Sequence, residues 1–285
     1  MKYLIVWMMT VLGLTAGEKV VIHLDVNGTI MAADKAQNKT IEDYVHIEFA
    51  KSVKGIWRDD LPEMSYQAFV DEYIIPGNGV HKQIKELRNT TYKNFMASDY
   101  LDNHPQKIAL ISQHASYLRI AQAMETPLFP SFWRLLEWAK DNPFLRIVFR
   151  TFGHDIPDIQ EMLHLKGHTL SNILSYTEEG ILTRKGVPVD DEQMWEDLLN
   201  AVQDNHKRWH SHGESEAHAK PFMCPSQGQA IFFDDNAKAK HIIAPVWSSR
   251  DELMSSGHIV AVKTLEALTD PDYFISRVKN VMKVD

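Results

Sequence analysis

Three short apolar runs punctuate the chain, and each stops at a polar residue. Lys19-Val-Val-Ile-His-Leu24 ends at Asp25, Leu145-Arg-Ile-Val-Phe-Arg150 leads into Thr151, and Gln229-Ala-Ile-Phe-Phe233 leads into Asp234. Runs rich in β-branched and aromatic residues, without strict alternation, are what strands covered on both faces require in a parallel sheet. In open parallel sheets ligands bind outside the carboxyl ends of the strands. The three polar termini therefore predict one crevice lined by Asp25, Thr151 and Asp234.

Around these strands the apolar spacing changes to the helical period. It predicts helices over Pro130–Asp141, Asp158–Leu165 and Asp191–Val202. Alternation of strands and helices predicts the α/β class, with a Rossmann-like doubly wound parallel sheet and helices on its faces. Residues 34–126 read differently, with helices around Ser65–Ile75, Gly79–Leu87 and Pro105–Met124, a turn at Pro76-Gly77-Asn78-Gly79 and no strong strand. They are predicted to form a helical insertion into a core made of residues 18–33 and 127–285.

The first 17 residues stand apart: Lys2, an apolar run from Tyr3 to Leu14, then Thr15-Ala16-Gly17. That is the pattern of a signal peptide, and the run is too short to make a stable transmembrane span. It predicts a secreted, periplasmic or secretory-lumen location, whereas the same segment packed on the domain would leave the chain cytoplasmic. The sequons Asn38-Lys39-Thr40 and Asn89-Thr90-Thr91 are short enough to arise by chance, and Asn27-Gly28-Thr29 falls where a glycan would block the predicted crevice.

Composition then narrows the field. With 44% hydrophobic and 24% charged residues the chain is globular, and a net charge of −8 speaks against a nucleic-acid partner, which needs a basic face. The single Cys224 excludes an internal disulfide framework and any multi-cysteine zinc site, and reads as a small packed hydrophobe. Gly-x-Ser-x-Gly, Gly-x-x-x-x-Gly-Lys-Ser/Thr and Gly-x-Gly-x-x-Gly are all missing, against a serine hydrolase, a P-loop enzyme and a Rossmann dehydrogenase.

Four segments together carry a resemblance. Ile22-His-Leu-Asp25-Val-Asn27-Gly28-Thr29, Ile147-Val-Phe-Arg-Thr151, Lys220-Pro221 and Ile231-Phe-Phe-Asp234-Asp235-Asn236 follow one another in the order of the motifs of the haloacid-dehalogenase-like superfamily. The chain resembles its phosphatase-type members from residue 19 to residue 236. The resemblance implies that Asp25 is a nucleophile forming an aspartyl-phosphate, which splits one hard hydrolysis into two steps. It implies Mg²⁺ held by Asp25, Asp234, Asp235 and the main-chain carbonyl of Asn27, since a hard cation relieves repulsion between a carboxylate and an anionic substrate. It further implies that Thr151 and Lys220 bind the substrate phosphate, that Gly28 lets backbone approach it, and that residues 34–126 are a cap selecting a small phosphorylated substrate. Lys166, Lys185 and Lys207 are alternatives to Lys220. Protein partners are not specified by any motif.

Asn27 departs from the family pattern. The phosphatases carry a second Asp there as general acid and base, and an amide cannot titrate. Two readings stay open: a phosphoryl-transfer enzyme, most simply a phosphomonoester hydrolase, and a catalytically impaired phosphate- or metal-binding protein. His23, and His154 with Asp155, are candidate substitute bases. His206, His210, His212 and His218 lack regular zinc-ligand spacing. In the insertion Trp57, Tyr66, Phe69 and Tyr73 read as a packed face before they read as a pocket, and Arg58 is a candidate substrate contact.

Overall fold

A computed structural model of the chain describes residues 19–32, 39–77, 82–238 and 241–282. The segment 1–17, Asn38 of the first sequon, and Asn78 and Gly79 of the predicted turn lie outside the described residues. No described helix is long and apolar enough to cross a membrane. The chain divides into two compact units, one formed by residues up to Met31 together with Leu128–Asp285, the other by Ala32–Pro127.

The first unit is built on an eight-stranded sheet. Its strands are β1 (Lys19–Asp25), β2 (Leu145–Thr151), β3 (Asn172–Tyr176), β4 (Leu182–Arg184), β5 (Val187–Pro188), β6 (Leu199–Gln203), β7 (Gly228–Asp234) and β8 (Ile259–Ala261). Their spatial order is β8-β7-β1-β2-β6-β3-β4-β5. All pairs from β8 to β3 are parallel, and only the pairs β3–β4 and β4–β5 at one edge are antiparallel. The unit is thus α/β with a large, mostly parallel central sheet, compatible with a Rossmann-like fold.

The register explains why β1 is continuously apolar. Ile22 lies opposite Ile147 and Ile231, and Leu24 opposite Phe149 and Phe233, on one face of the sheet. Helix Pro130–Lys140 covers that face with Phe132, 5.6 Å from Phe149, and helix Tyr273–Met282 with Phe274, 5.1 Å from Phe233. Pro130 starts its helix where a missing N–H costs nothing. On the other face Val21, Val148, Val202, Ala230 and Phe232 pack against Met194, Trp195, Phe222 and Ile243. Since β1 connects to β2 on one side and β7 to β8 on the other, the carboxyl ends of β1 and β7 flank the switch point where such sheets bind ligands.

The predicted helix Asp191–Val202 is not formed. A single 3₁₀ turn, Asp191–Trp195, is followed by β6, which pairs with both β2 and β3. Met194, Trp195 and Leu199 mimic helical spacing, but Leu199, Asn200, Ala201 and Val202 are all buried, as an interior strand demands. Strands β3, β4 and β5 were also not predicted; they are two to five residues long, below the length at which period reveals them.

The second unit is mainly helical. Its longer helices are Ile41–Ser52, Lys82–Lys93 and Lys107–Gln122, the first begun by a capping box between Thr40 and Asp43. Trp57, Tyr66, Phe69 and Phe95 pack as one buried aromatic group, with Trp57 and Tyr66 5.0 Å apart. Tyr73 is exposed beneath the Arg58 guanidinium, which is also exposed and bound to Asp60.

One feature of the sheet interior is ionic. Arg150, fully buried on β2, forms a two-pronged pair with Asp204, Nη2 to Oδ1 at 2.6 Å and Nε to Oδ2 at 3.0 Å, and donates from Nη1 to the Pro221 carbonyl at 2.8 Å. Removing one partner leaves the other charge stranded. Arg150→Met is expected to cost about 3–5 kcal/mol, measured as a lower urea midpoint, and Asp204→Leu in the same chain should restore most of it. No recovery in the double variant would show that the pair's shape, and not its charge, is what the core requires.

Candidate active site

The last residue of β1, the last residue of β7 and the first residue of the short strand Lys220–Phe222 meet at the crevice. Lys220 Nζ donates to Asp25 Oδ1 at 2.5 Å and to Asp234 Oδ2 at 2.8 Å, and all three side chains are buried. Asp235 joins them: ligand oxygens of Asp25, Asp234 and Asp235 lie within 4.8 Å of one another, and this is the only such group among the described residues.

Electrostatics follow from burial and count. One buried ammonium is shared by two buried carboxylates, so Asp25, Asp234 and Lys220 carry one excess negative charge when all are ionised. Burial would lower Lys220, but Asp234 and then Asp25 hold its ammonium well above the usual lysine range. Burial pushes the Asp25 carboxyl up to about 7, against the pull of Lys220 and with a further push from Asp234. The donor set is hard oxygen at close quarters, which suits a divalent cation such as Mg²⁺. A buried, unpartnered acceptor, Asn27 Oδ1, belongs to the same loop.

The loop after β1 is fixed to its surroundings. The Thr29 hydroxyl donates to Asp25 Oδ2 at 3.3 Å and accepts from the Asp235 N–H at 2.9 Å, while Thr264 holds the Gly28 carbonyl at 2.7 Å. Gly28 has φ +81°, and a Cβ there would stand 2.7 Å from Asp235 Oδ2. Only glycine fits both the backbone and the neighbouring carboxylate.

Thr151 and Asn27 come together through a residue that the motif pattern leaves out. Asp155 Oδ2 accepts from Thr151 Oγ1 at 2.7 Å and from Asn27 Nδ2 at 3.0 Å, and Thr151 Oγ1 also accepts from Gly153 N–H at 2.8 Å. Asp155 is buried. An acid four residues after a strand-ending Thr was visible in the sequence, but its aim at Asn27 depends on the turn through Gly153.

The other candidates separate from this group. His23 is enclosed by Phe222 and Phe232, its Nδ1 is 3.3 Å from Arg150 Nη1, and burial with the Arg150 charge keeps it far below the usual histidine range. It is a fully buried core residue. His154 is exposed and borders a cleft with Gln160 and Lys185. Lys207 is exposed and paired with Glu178, and Lys166 and Lys185 are exposed. The four downstream histidines form stacked pairs, His206 with His210 and His212 with His218, and among the described residues they belong to no group of three or more potential metal ligands. Burial raises the Cys224 thiol, which keeps it unreactive.

Comparison of the chain with protein-family models, with curated proteins and with solved structures finds no match in any of the three. The site therefore rests on its own geometry.

Two expectations follow. Because Asp25 is raised on folding, the folded state holds a proton that the unfolded chain releases between pH 3.8 and about 7, so this group's contribution to stability falls as pH rises through that window. In chelator-containing buffer the melting temperature should decline from pH 4 to 7 less steeply in Asp25→Asn than in wild type, and Mg²⁺ should raise the wild-type value at pH 7 but not that of Asp234→Asn. Identical pH slopes would refute the first half, and an equal Mg²⁺ shift in both chains the second. Separately, Asn27→Asp sets a second carboxylate where the amide now meets Asp155 at 3.0 Å, and like charges at that range repel. It should lower the melting temperature, and Asn27→Asp with Asp155→Asn should recover it; a single variant more stable than wild type would show that the contact is not maintained.

Proposed function

We propose that this chain is a Mg²⁺-dependent phosphoryl-transfer enzyme of haloacid-dehalogenase-like type, which hydrolyses small phosphomonoesters through an aspartyl-phosphate on Asp25. The observation that carries this reading is the buried pair Asp25 and Asp234 on the Lys220 ammonium, with the half-buried Asp235 carboxylate within 4.8 Å of both. A stabilising fold would gain little from burying two carboxylates on one ammonium at a sheet switch point, because burying unmatched charge is costly. A phosphoryl site needs that combination.

Asp25, Asp234 and Asp235, with the main-chain carbonyl of Asn27, would hold the Mg²⁺, which supplies positive charge toward the phosphoryl oxygens. Lys220 and the Thr151 hydroxyl are the donors available to the remaining oxygens. An Asp25 carboxylate oxygen forms a bond to phosphorus as the bond to the ester oxygen breaks, and the electron pair leaves with that oxygen, which takes its proton from solvent. Water then adds to phosphorus, the bond to Asp25 breaks, and inorganic phosphate departs with the carboxylate restored. Asn27 contributes no proton to either step.

The amide of Asn27, bound to Asp155, favours a second reading in which the site holds a phosphate and a metal without turnover. One experiment separates them. The purified chain is assayed with Mg²⁺ for phosphate release from a panel of phosphomonoesters, and beryllofluoride binding is followed by ¹⁹F NMR. Release that is lost by at least about a thousandfold in Asp25→Asn is the expected outcome. A beryllofluoride adduct without release would identify the binding protein, and neither adduct nor release would overturn the phosphoryl reading altogether.

A further inference from the structure

We infer that the phosphoryl site accepts esters whose leaving group is aromatic, an inference that rests on the phosphoryl-transfer reading. The observation is a wall of rings attached to the two phosphate donors. Phe152 directly follows Thr151, and Lys220 Nζ stands 5.3 Å from the Phe152 ring centroid. Trp209 stacks on Phe152 at 5.0 Å with 14° between planes, and His206 meets both rings edge-on, at 5.9 Å and 5.7 Å.

The wall has a structural side and an open side. Trp209 is buried and its Nε1 is spent on the His241 carbonyl at 2.8 Å, so it supports the others. Phe152 is only half-buried, and His206 is exposed. Their location is set by topology: Phe152 follows the carboxyl end of β2, and helix His206–Ser211 begins three residues after β6 ends, at the same end of the sheet as Asp25. A phosphoryl group held by Thr151 and Lys220 therefore lies next to the half-buried Phe152 ring, with the exposed His206 ring edge-on to it. Flat apolar groups gain from edge-to-face and offset contacts with such rings. An aryl or heteroaromatic ester, and not a polyol phosphate, is the class that matches.

The test measures binding, so that it does not depend on turnover. Phenylphosphonate and methylphosphonate, both stable to hydrolysis, are titrated calorimetrically into the full chain with Mg²⁺, for wild type, Phe152→Ala and His206→Ala. Wild type should bind phenylphosphonate about tenfold more tightly than methylphosphonate, and this ratio should fall toward one in both variants, the exposed His206 keeping the test valid where the loss of Phe152 disturbs folding. Equal affinities in wild type, or a ratio that the His206 variant leaves intact, would overturn the inference while the phosphoryl reading stands. If neither phosphonate binds, both fall.

Discussion

Everything at the crevice depends on one buried ammonium. Lys220 sits between Asp25 and Asp234, close enough to hold the ends of β1 and β7 against the short strand that carries it. Without it two carboxylates would face each other in the interior, and burial would force at least one to take up a proton. With it, two carboxylates still share one ammonium. The imbalance is what distinguishes a site from a salt bridge: the Arg150–Asp204 pair nearby is equally buried and is matched one for one. The first has oxygen ligands that could hold a cation; the second completes a core.

The two charged groups are also mechanically connected. Arg150 donates to the Pro221 carbonyl, one residue beyond Lys220, and lies opposite Asp25 in the sheet register. The matched pair thus fixes the strand from which the unmatched cluster is presented. In the phosphoryl transfer proposed above, such support sets the position of the Asp25 carboxylate beforehand. The same holds across the crevice, where Thr29 bridges Asp25 and Asp235.

The strand ends were legible in the sequence because each is an apolar run stopped by a polar residue, a signal that survives without knowledge of neighbours. Asp25, Thr151 and Asp234 were reached in that way, and Lys220 only through motif order. Strand β6 was not legible: its burial on both faces comes from β2, β3 and the turn at Met194 and Trp195, and these contacts have no local imprint. His23 misled for the opposite reason. Its place before the loop resembles that of a base, yet alternation and the two flanking phenylalanines turn it into the core.

Asp155 marks the limit of reading motifs one at a time. Position 27, taken alone, shows an amide where the motif it resembles has a carboxylate. In the folded chain the amide is one half of a contact whose other half is a carboxylate, and Thr151 binds that same oxygen. Asn27 is therefore fitted to Asp155 as a donor to an acceptor, a role an ionised aspartate could not fill. A residue that departs from a family pattern is to be judged with the side chain it touches, because the pair, and not the position, determines what charge the loop presents.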